Sequence, residues 1–241
     1  MHILVINPNA SVEMSDVIRD QLRLVARPDV VLEVSNPVGA PPAIESALDE
    51  AMAIPPMLEL LRAAEGRGVD AVVIACFSDP GLDSARELTG VPVVGIQDAA
   101  MHLAAQIAYR FSILTTLKHR APVRERAALV TGLERRLVSC PVLDLPVLDT
   151  VADRERVLQR LIVVGRRAVE EDGAEALILG CAGLGDLAPR VQRALGVPIV
   201  DPNAAALKLA ETLVDLSLSH SKAGLYAARP REERPLAVAG R

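Results

Sequence analysis

Aromatic residues are nearly absent from this chain, which has two Phe, two Tyr and no Trp in 241 residues although 51% of it is hydrophobic. Its core must be aliphatic and rich in alanine. Stacking platforms for single-stranded nucleic acid need exposed rings, and capture of a phosphate backbone needs surplus positive charge. With 26 Lys and Arg against 31 Asp and Glu, and a net charge of −5, the chain offers neither, so no nucleic acid partner is expected. Long apolar runs are missing too. The longest covers about seven residues, Ala71 to Phe77, against the ~20 of a membrane-spanning helix, so no membrane partner is expected either. The opening MHILVINPN carries no basic leader and reads as a first strand, which points to a cytoplasmic protein.

Cysteine is scarce as well. Cys76, Cys140 and Cys181 are odd in number and far apart, which fits neither a disulfide framework nor the CxxC spacing of a zinc site. The histidines (His2, His102, His119, His220) are scattered without HxxxH spacing, and there is no GxxxxGK phosphate loop and no GxSxG elbow. Neither a metal nor a cofactor is expected.

What is present is order. Branched aliphatic runs recur at 3–6, 30–34, 71–75, 91–94, 111–114, 142–145, 176–179 and 197–200, most too continuously apolar to have a wet face. Between them lie stretches of helical spacing. In 151–172, Val157, Leu158, Leu161, Ile162, Ala168 and Val169 share one stripe, while Arg154, Arg156, Arg160, Arg166 and Glu170 fall off it. Buried strands alternating with amphipathic helices predict an α/β fold with parallel sheets covered on both faces.

The chain also repeats itself. Asp70-Ala-Val-Val-Ile-Ala-Cys76 matches Glu175-Ala-Leu-Ile-Leu-Gly-Cys181, and the GVPVVGIQDAA stretch from Gly90 matches GVPIVDPNAAA from Gly196. Ile3 to Asn7 pairs with Ser112 to Thr116, and Val31 to Val34 with Val142 to Leu145. Two doubly wound halves, each with a mainly parallel four-stranded sheet, are therefore expected to face one another across a cleft. The first comprises 1–98 with a C-terminal helix at about 203–219, the second comprises 99–202, and 220–241 reads as a tail without chemistry.

Ligands of open parallel sheets bind beyond the carboxyl ends of strands, where Cys76 and Cys181 fall. Each precedes an expected helix start, Ser78-Asp79-Pro80 in one half and Ala182-Gly183-Leu184 in the other, whose positive end would lower the thiol pKa. A lone cysteine is more often a small buried residue, but symmetric placement in two halves favours a pair acting together. Cys140 has no counterpart and reads as structural, at the start of the strand over 142–145. Asn9, Thr115 and Thr116 close equivalent first strands and could hold a small polar ligand or cap helices; Ile44-Glu45-Ser46 could lid the cleft or start a helix. Gly183-Leu-Gly185 with Asp201 imitates a dinucleotide fingerprint, though Cys181 occupies its turn.

INPNAS at 6–11, ACFSDPGLDSARE at 75–87, VPVVGIQDAAMH at 91–102, FSILTT at 111–116, LGCAGLGDL at 179–187 and VPIVDPNAAALKLAE at 197–211 resemble the aspartate/glutamate racemase superfamily. Within it the likeness is to the hydantoin racemases and the closely similar allantoin racemases, over nearly all of 2–215. Two positions depart from the family pattern: Ala10 replaces a threonine, and Gln97-Asp98 stands where a glutamate is common.

The resemblance implies a cofactor-independent racemase in which Cys76 and Cys181 remove a proton from one face of a stereocentre and return one to the other. Backbone N–H groups around Ser78 and Gly183, with Asn9 or Thr115 and Thr116, would stabilise the enolate, and Ile44, Phe77 and Ala182 would line the substrate. A 5-substituted hydantoin suits thiols because its ring C–H is acidic, and no cationic cluster for a free carboxylate stands out at the strand ends. Alternatives are an allantoin or amino-acid racemase of the same class and, from other classes, a decarboxylase, an NAD-dependent oxidoreductase or a non-catalytic small-ligand binding protein. The aliphatic composition, with mean hydropathy +0.30, predicts a homo-oligomer.

Overall fold

The computed structural model describes residues 1–227. The first half runs β1 (His2–Ile6), α1 (Val12–Val25), β2 (Val31–Ser35), α2 (Ala47–Ala63), β3 (Ala71–Ile74), α3 (Leu82–Leu88) and β4 (Val93–Gly95). Then α4 (Ile96–Ile107) leads to β5 (Phe111–Leu114), α5 (Ala121–Val130), β6 (Leu137–Ser139), α6 (Asp149–Ala152), α7 (Arg154–Glu170), β7 (Ala176–Leu179), α8 (Ala188–Leu195), β8 (Ile199–Val200) and α9 (Pro202–Asp215). Two four-stranded parallel sheets result, ordered β2-β1-β3-β4 and β6-β5-β7-β8. The same order in both is the structural counterpart of the sequence repeat. Among the described residues no helix is long and apolar enough to cross a membrane.

The central strands are buried on both faces, as their unbroken aliphatic sequences require. Successive side chains of β1 divide between two cores: Ile3 and Val5 join the large core shared by both sheets, Leu4 and Ile6 a smaller one beneath α2 and α3. Two helices cross over. α4 follows the first sheet but packs on β7 and β8, while α9 follows the second sheet but packs on β3 and β4, and the two helices touch each other. Their buried faces are small, with Ala99, Ala100 and Ala104 on α4 and Ala205, Ala206 and Ala210 on α9. Alanine lets the backbones approach closely, which is where the shortage of aromatic residues leads.

One expected strand is displaced. β6 occupies Leu137–Ser139, and of the 142–145 run only Val142 makes a bridge, to Thr115. Pro141 cannot donate to a ladder, the register slips between Phe111 and Ser112, and Asp144 adopts φ 57°. Leu143 and Leu145 still donate to the carbonyls of Thr115 and Thr116 (2.8 and 3.1 Å), so the segment follows β5 irregularly. Cys140 consequently lies after a strand rather than at its start, half-buried at the sheet edge, where burial pushes its thiol up to about 12. The expected tail is also corrected in part. His220 accepts from Val93 N (2.8 Å), Lys222 donates to Arg86 O (2.6 Å) and Tyr226 to Asp83 (3.0 Å), which ties residues 220–226 to the first half. Such side-chain-to-backbone bonds leave no periodicity to read. The rest of the expected tail, 228–241, lies outside the described residues.

The two crossing helices are anchored at their starts by half-buried carboxylates supplied in opposite ways. α4 has only Gly95 at its N-cap, and Asp79, from the loop after β3, accepts from Gln97 N (3.0 Å) and Asp98 N (2.8 Å). A side chain at 95 would collide with that carboxylate. At α9 the carboxylate is on the helix start, where Asp201 accepts from Asn203 N (2.9 Å) and from Gln21 of α1. Here the loop carries the glycine, and a side chain at Gly185 would run into Gln21 and Asp201.

Burial pushes both carboxyls up, Asp79 to about 7 and Asp201 to about 6, against backbone N–H donors that favour the charged form. An unfolded aspartate titrates near ~3.9, so the folded chain keeps these protons where the unfolded chain has released them. The stability they contribute is complete below about pH 4 and is lost as pH rises through 6 to 7. Asparagine at 79 keeps an acceptor and cannot ionise. The Tm of Asp79→Asn relative to the parent chain is expected to rise between about pH 5 and about pH 8, and a difference independent of pH would contradict the ionisation argument.

Candidate active site

Cys76 lies just beyond β3 and Cys181 just beyond β7, each at the carboxyl end of a central strand. The two thiols line a single cavity of about 30 Å³ between the halves. Asn9, Ile44, Phe77, Ser78, Thr116 and Ala182 line it as the sequence anticipated. Thr115 and Gly183 do not. Thr115 is fully buried, with its backbone paired to Pro141 and Leu143, and a Cβ on Gly183 would meet Thr150 Oγ1 at 2.8 Å. That packing also disposes of the dinucleotide reading. Gly183 and Gly185 face protein side chains, and Asp201 is a helix cap, so no backbone cradle is left for a pyrophosphate.

The cavity has room for about one water molecule and is bordered by the segment expected as a lid. Ile44 is buried over it, Glu45 accepts from Val147 N (2.6 Å), and His119 Nε2 donates to Glu45 O (2.7 Å). A second tie is the ion pair of Glu50 with Arg120. Ser46 meanwhile forms a capping box with Asp49 at the start of α2, as the helix-start reading expects. Asn9 likewise does two things. Its Oδ1 accepts from Ser11 N (2.9 Å) and Asn7 Nδ2 (3.0 Å), fixing the loop, while its Nδ2 has only the weak acceptor Met14 Sδ at 3.6 Å.

Neither thiol is activated by a helix end, contrary to the expectation. α3 begins at Leu82 after Asp79 has turned to φ 46°, and Cys181 opens a 3₁₀ segment, Ala182–Leu187, before α8. Burial pushes Cys76 up to about 11, opposed by the Ser78 hydroxyl (3.5 Å from Sγ), the charge of Arg124 and the Ser78 N–H. Cys181 is also raised by burial, opposed by the Gly183 N–H, the Thr150 hydroxyl (4.0 Å), Arg124 and Arg154. The N–H groups of Ser78 and Gly183, expected to serve an enolate, thus favour the thiolates. Charge on Cys181 further raises Cys76, so the pair resists holding two thiolates at once.

The expectation that no cations gather here is overturned. Arg120 and Arg124 both line the cavity and are buried, along with Met14 and Val147, which no sequence signal set apart from ordinary core positions. The arginines carried no such signal either: Arg120 precedes α5, and Arg124 shares the inward face of that helix with Ala128.

The Asp/Glu/hydantoin racemase family model matches residues 3–210. The hydantoin racemase of Rhizobium meliloti is 43% identical over 94% of this chain and 94% of its own. Among solved structures, the allantoin racemase of Klebsiella pneumoniae superposes with a TM-score of 0.92 at 40% identity, covering 98% of this chain and 96% of that one. The allantoin racemase of Pseudomonas fluorescens gives a TM-score of 0.92 at 32% identity, with each chain covered in full (100%). The chain belongs to the Asp/Glu/hydantoin racemase family of isomerases.

Proposed function

We propose that this chain racemises 5-substituted hydantoins by proton transfer between two cysteines, without a cofactor. The observation that carries the reading is the placement of Cys76 and Cys181, from equivalent strand ends of the two halves, on one enclosed cavity. The hydantoin C5–H is flanked by a carbonyl, so its removal gives a planar enolate, and a proton delivered from the opposite face inverts the centre. One sulfur starts as thiolate and the other as thiol, and after turnover they have exchanged states, ready for the opposite enantiomer. The Asn9 amide and the Thr116 hydroxyl supply hydrogen bonds for ring carbonyls and N–H groups, and Ile44, Phe77, Met14 and Val147 give the C5 substituent an apolar surface.

Allantoin is the second reading, supported by the likeness to two allantoin racemase structures. It is itself a hydantoin with a ureido group on the reacting carbon, so the chemistry is unchanged and only the pocket's preference differs. Initial rates of optical rotation on a panel of alkyl and aryl hydantoins, allantoin and free amino acids separate these substrates.

Cys76→Ala and Cys181→Ala are each expected to lower racemisation at least ~10³-fold in both directions, with the fold retained by circular dichroism. Each variant should still exchange the C5 hydrogen of one enantiomer with heavy water, the one facing the remaining thiol. Near-parent racemisation in either variant would sink the two-base reading.

Because burial raises both thiols, thiolate is the minor form at neutral pH. We expect kcat/KM to climb about tenfold per pH unit on the acidic limb and to bend only above about pH 8. A flat profile from about pH 6 upward would show that the reacting base is not one of these buried thiols.

A further inference from the structure

Arg124 lines the cavity, and neither the repeat nor the two-cysteine mechanism accounts for it. Its residue is 5% exposed, yet among the described residues it has no carboxylate within ion-pair distance. The neighbouring Arg120 differs in this respect, being neutralised by Glu50. Arg124 Nη1 donates to Phe77 O and to Gln97 Oε1 (3.1 Å), both neutral acceptors, and the guanidinium lies over the Phe77 ring with Cζ 5.1 Å from the centroid. Its Nε–H is buried without a protein partner. A buried cation without a counter-charge is costly, and such groups persist where an anion visits.

We propose that Arg124 is the resident counter-charge of the reaction, holding the single negative charge of the cavity as it passes from one thiolate through the enolate to the other. This rests on the reading of Cys76 and Cys181 as the acid/base pair. Arg124 comes from α5 of the second half but is fixed by Phe77 and Gln97 of the first, so it spans the cleft that the substrate enters. It is also the strongest charged influence on each sulfur. For Cys76 the other groups in play are Ser78 and Cys181, and for Cys181 they are Gly183, Thr150 and the more weakly acting Arg154. Burial lowers Arg124 itself to about 10, opposed by the charges of Cys76, Cys181 and Glu50, while Arg120 adds to the lowering. The negative charge is conserved at every step: a thiolate takes the C5 proton, the electron pair spreads onto the ring oxygen, and the second thiol returns a proton and becomes thiolate. A fixed cation that lowers all three states serves better than a donor aimed at one. The unpartnered Nε–H is the spare donor for the enolate oxygen.

The test uses the full chain with Arg124→Met and Arg124→Lys, checked for folding by circular dichroism and thermal melting. Alkylation of Cys76 and Cys181 by iodoacetamide, followed by peptide mass mapping across pH without substrate, reports the thiolate fraction directly. In Arg124→Met both alkylation curves should move about one pH unit upward, and kcat should drop roughly 100-fold with KM altered far less. Arg124→Lys should restore the alkylation curves and most of kcat. At this buried position its amine loses its proton more readily than a guanidinium, so its kcat/KM should fall again at alkaline pH where the parent stays active. Unchanged alkylation curves in Arg124→Met would assign the residue to packing and overturn the proposal, as would a lysine variant as impaired as the methionine one. If Arg124→Met fails to fold, the alkaline descent of Arg124→Lys decides: present, it upholds the counter-charge, and absent, it removes it. Alkylation requires no turnover, so a parent chain that racemises none of the panel defeats the racemase reading and leaves the Arg124 result to be judged separately.

Discussion

A carboxylate taken out of water must find donors, and in this fold the donors it finds tie each cysteine loop to the helix that crosses into the opposite half. Asp79 leaves the Cys76 loop and accepts the first N–H groups of α4, which then lies on the second sheet. Asp201 opens α9, which lies on the first sheet, and is wedged against Gly185 of the Cys181 loop. The halves solve one problem with the roles of loop and helix exchanged, carboxylate facing glycine in one and glycine facing carboxylate in the other. A shift of either loop would uncover a helix terminus or strand a charge, so each thiol is held in register with the far half through its own crossing helix.

The shortage of aromatic residues acts in the same direction. Alanine faces on α4 and α9 let the halves approach closely, and a large aliphatic core lies beneath the strand ends. The consequence is a dry setting in which a thiol resists ionisation, the reverse of what a helix terminus aimed at the sulfur would give. The activating influences that remain are specific and short-range, a hydroxyl and an N–H at each sulfur plus the nearby guanidinium of Arg124. Reactivity is set by which side chains reach the cavity rather than by the fold's dipoles.

That contrast explains what could be read from the residues in advance. Central strands of a parallel sheet are buried on both faces, so ILVI, AVVIA, FSIL and ALIL announce themselves, and the duplicated strand-to-cysteine pattern places Cys76 and Cys181 at matching ends. The edge strand misled because VLDL at 142–145 has the right composition, but Pro141 removes a ladder donor and pairing settles upstream on Leu137–Ser139. Thr115 and Thr116 cannot be told apart by type, since one residue of register decides which faces the cavity and which is buried behind it. Arg124 was hidden for a different reason. In a helix as polar as APVRERAALV an inward arginine looks like a surface one until the packing is known.

Charge balance in the closed cavity also bears on what it suits. Arg120 is already matched by Glu50, which leaves the guanidinium of Arg124 facing whichever sulfur is ionised. A free amino acid would bring a carboxylate as a second negative charge into a small cavity, and would compete for the same cation that supports the thiolate. A cyclic ureide enters neutral. On the proposed mechanism its ring carbonyl accepts the charge only after the proton has moved, so the cavity would hold one negative charge before, during and after the reaction. Burial of both thiols, a hindrance to a base that must attack a weakly acidic C–H, is tolerable for a ring C–H made acidic by its neighbours. The same dryness that raises the thiols then strengthens the attraction between Arg124 and the enolate. The features that make this a poor environment for an anionic substrate are the ones that suit a neutral hydantoin.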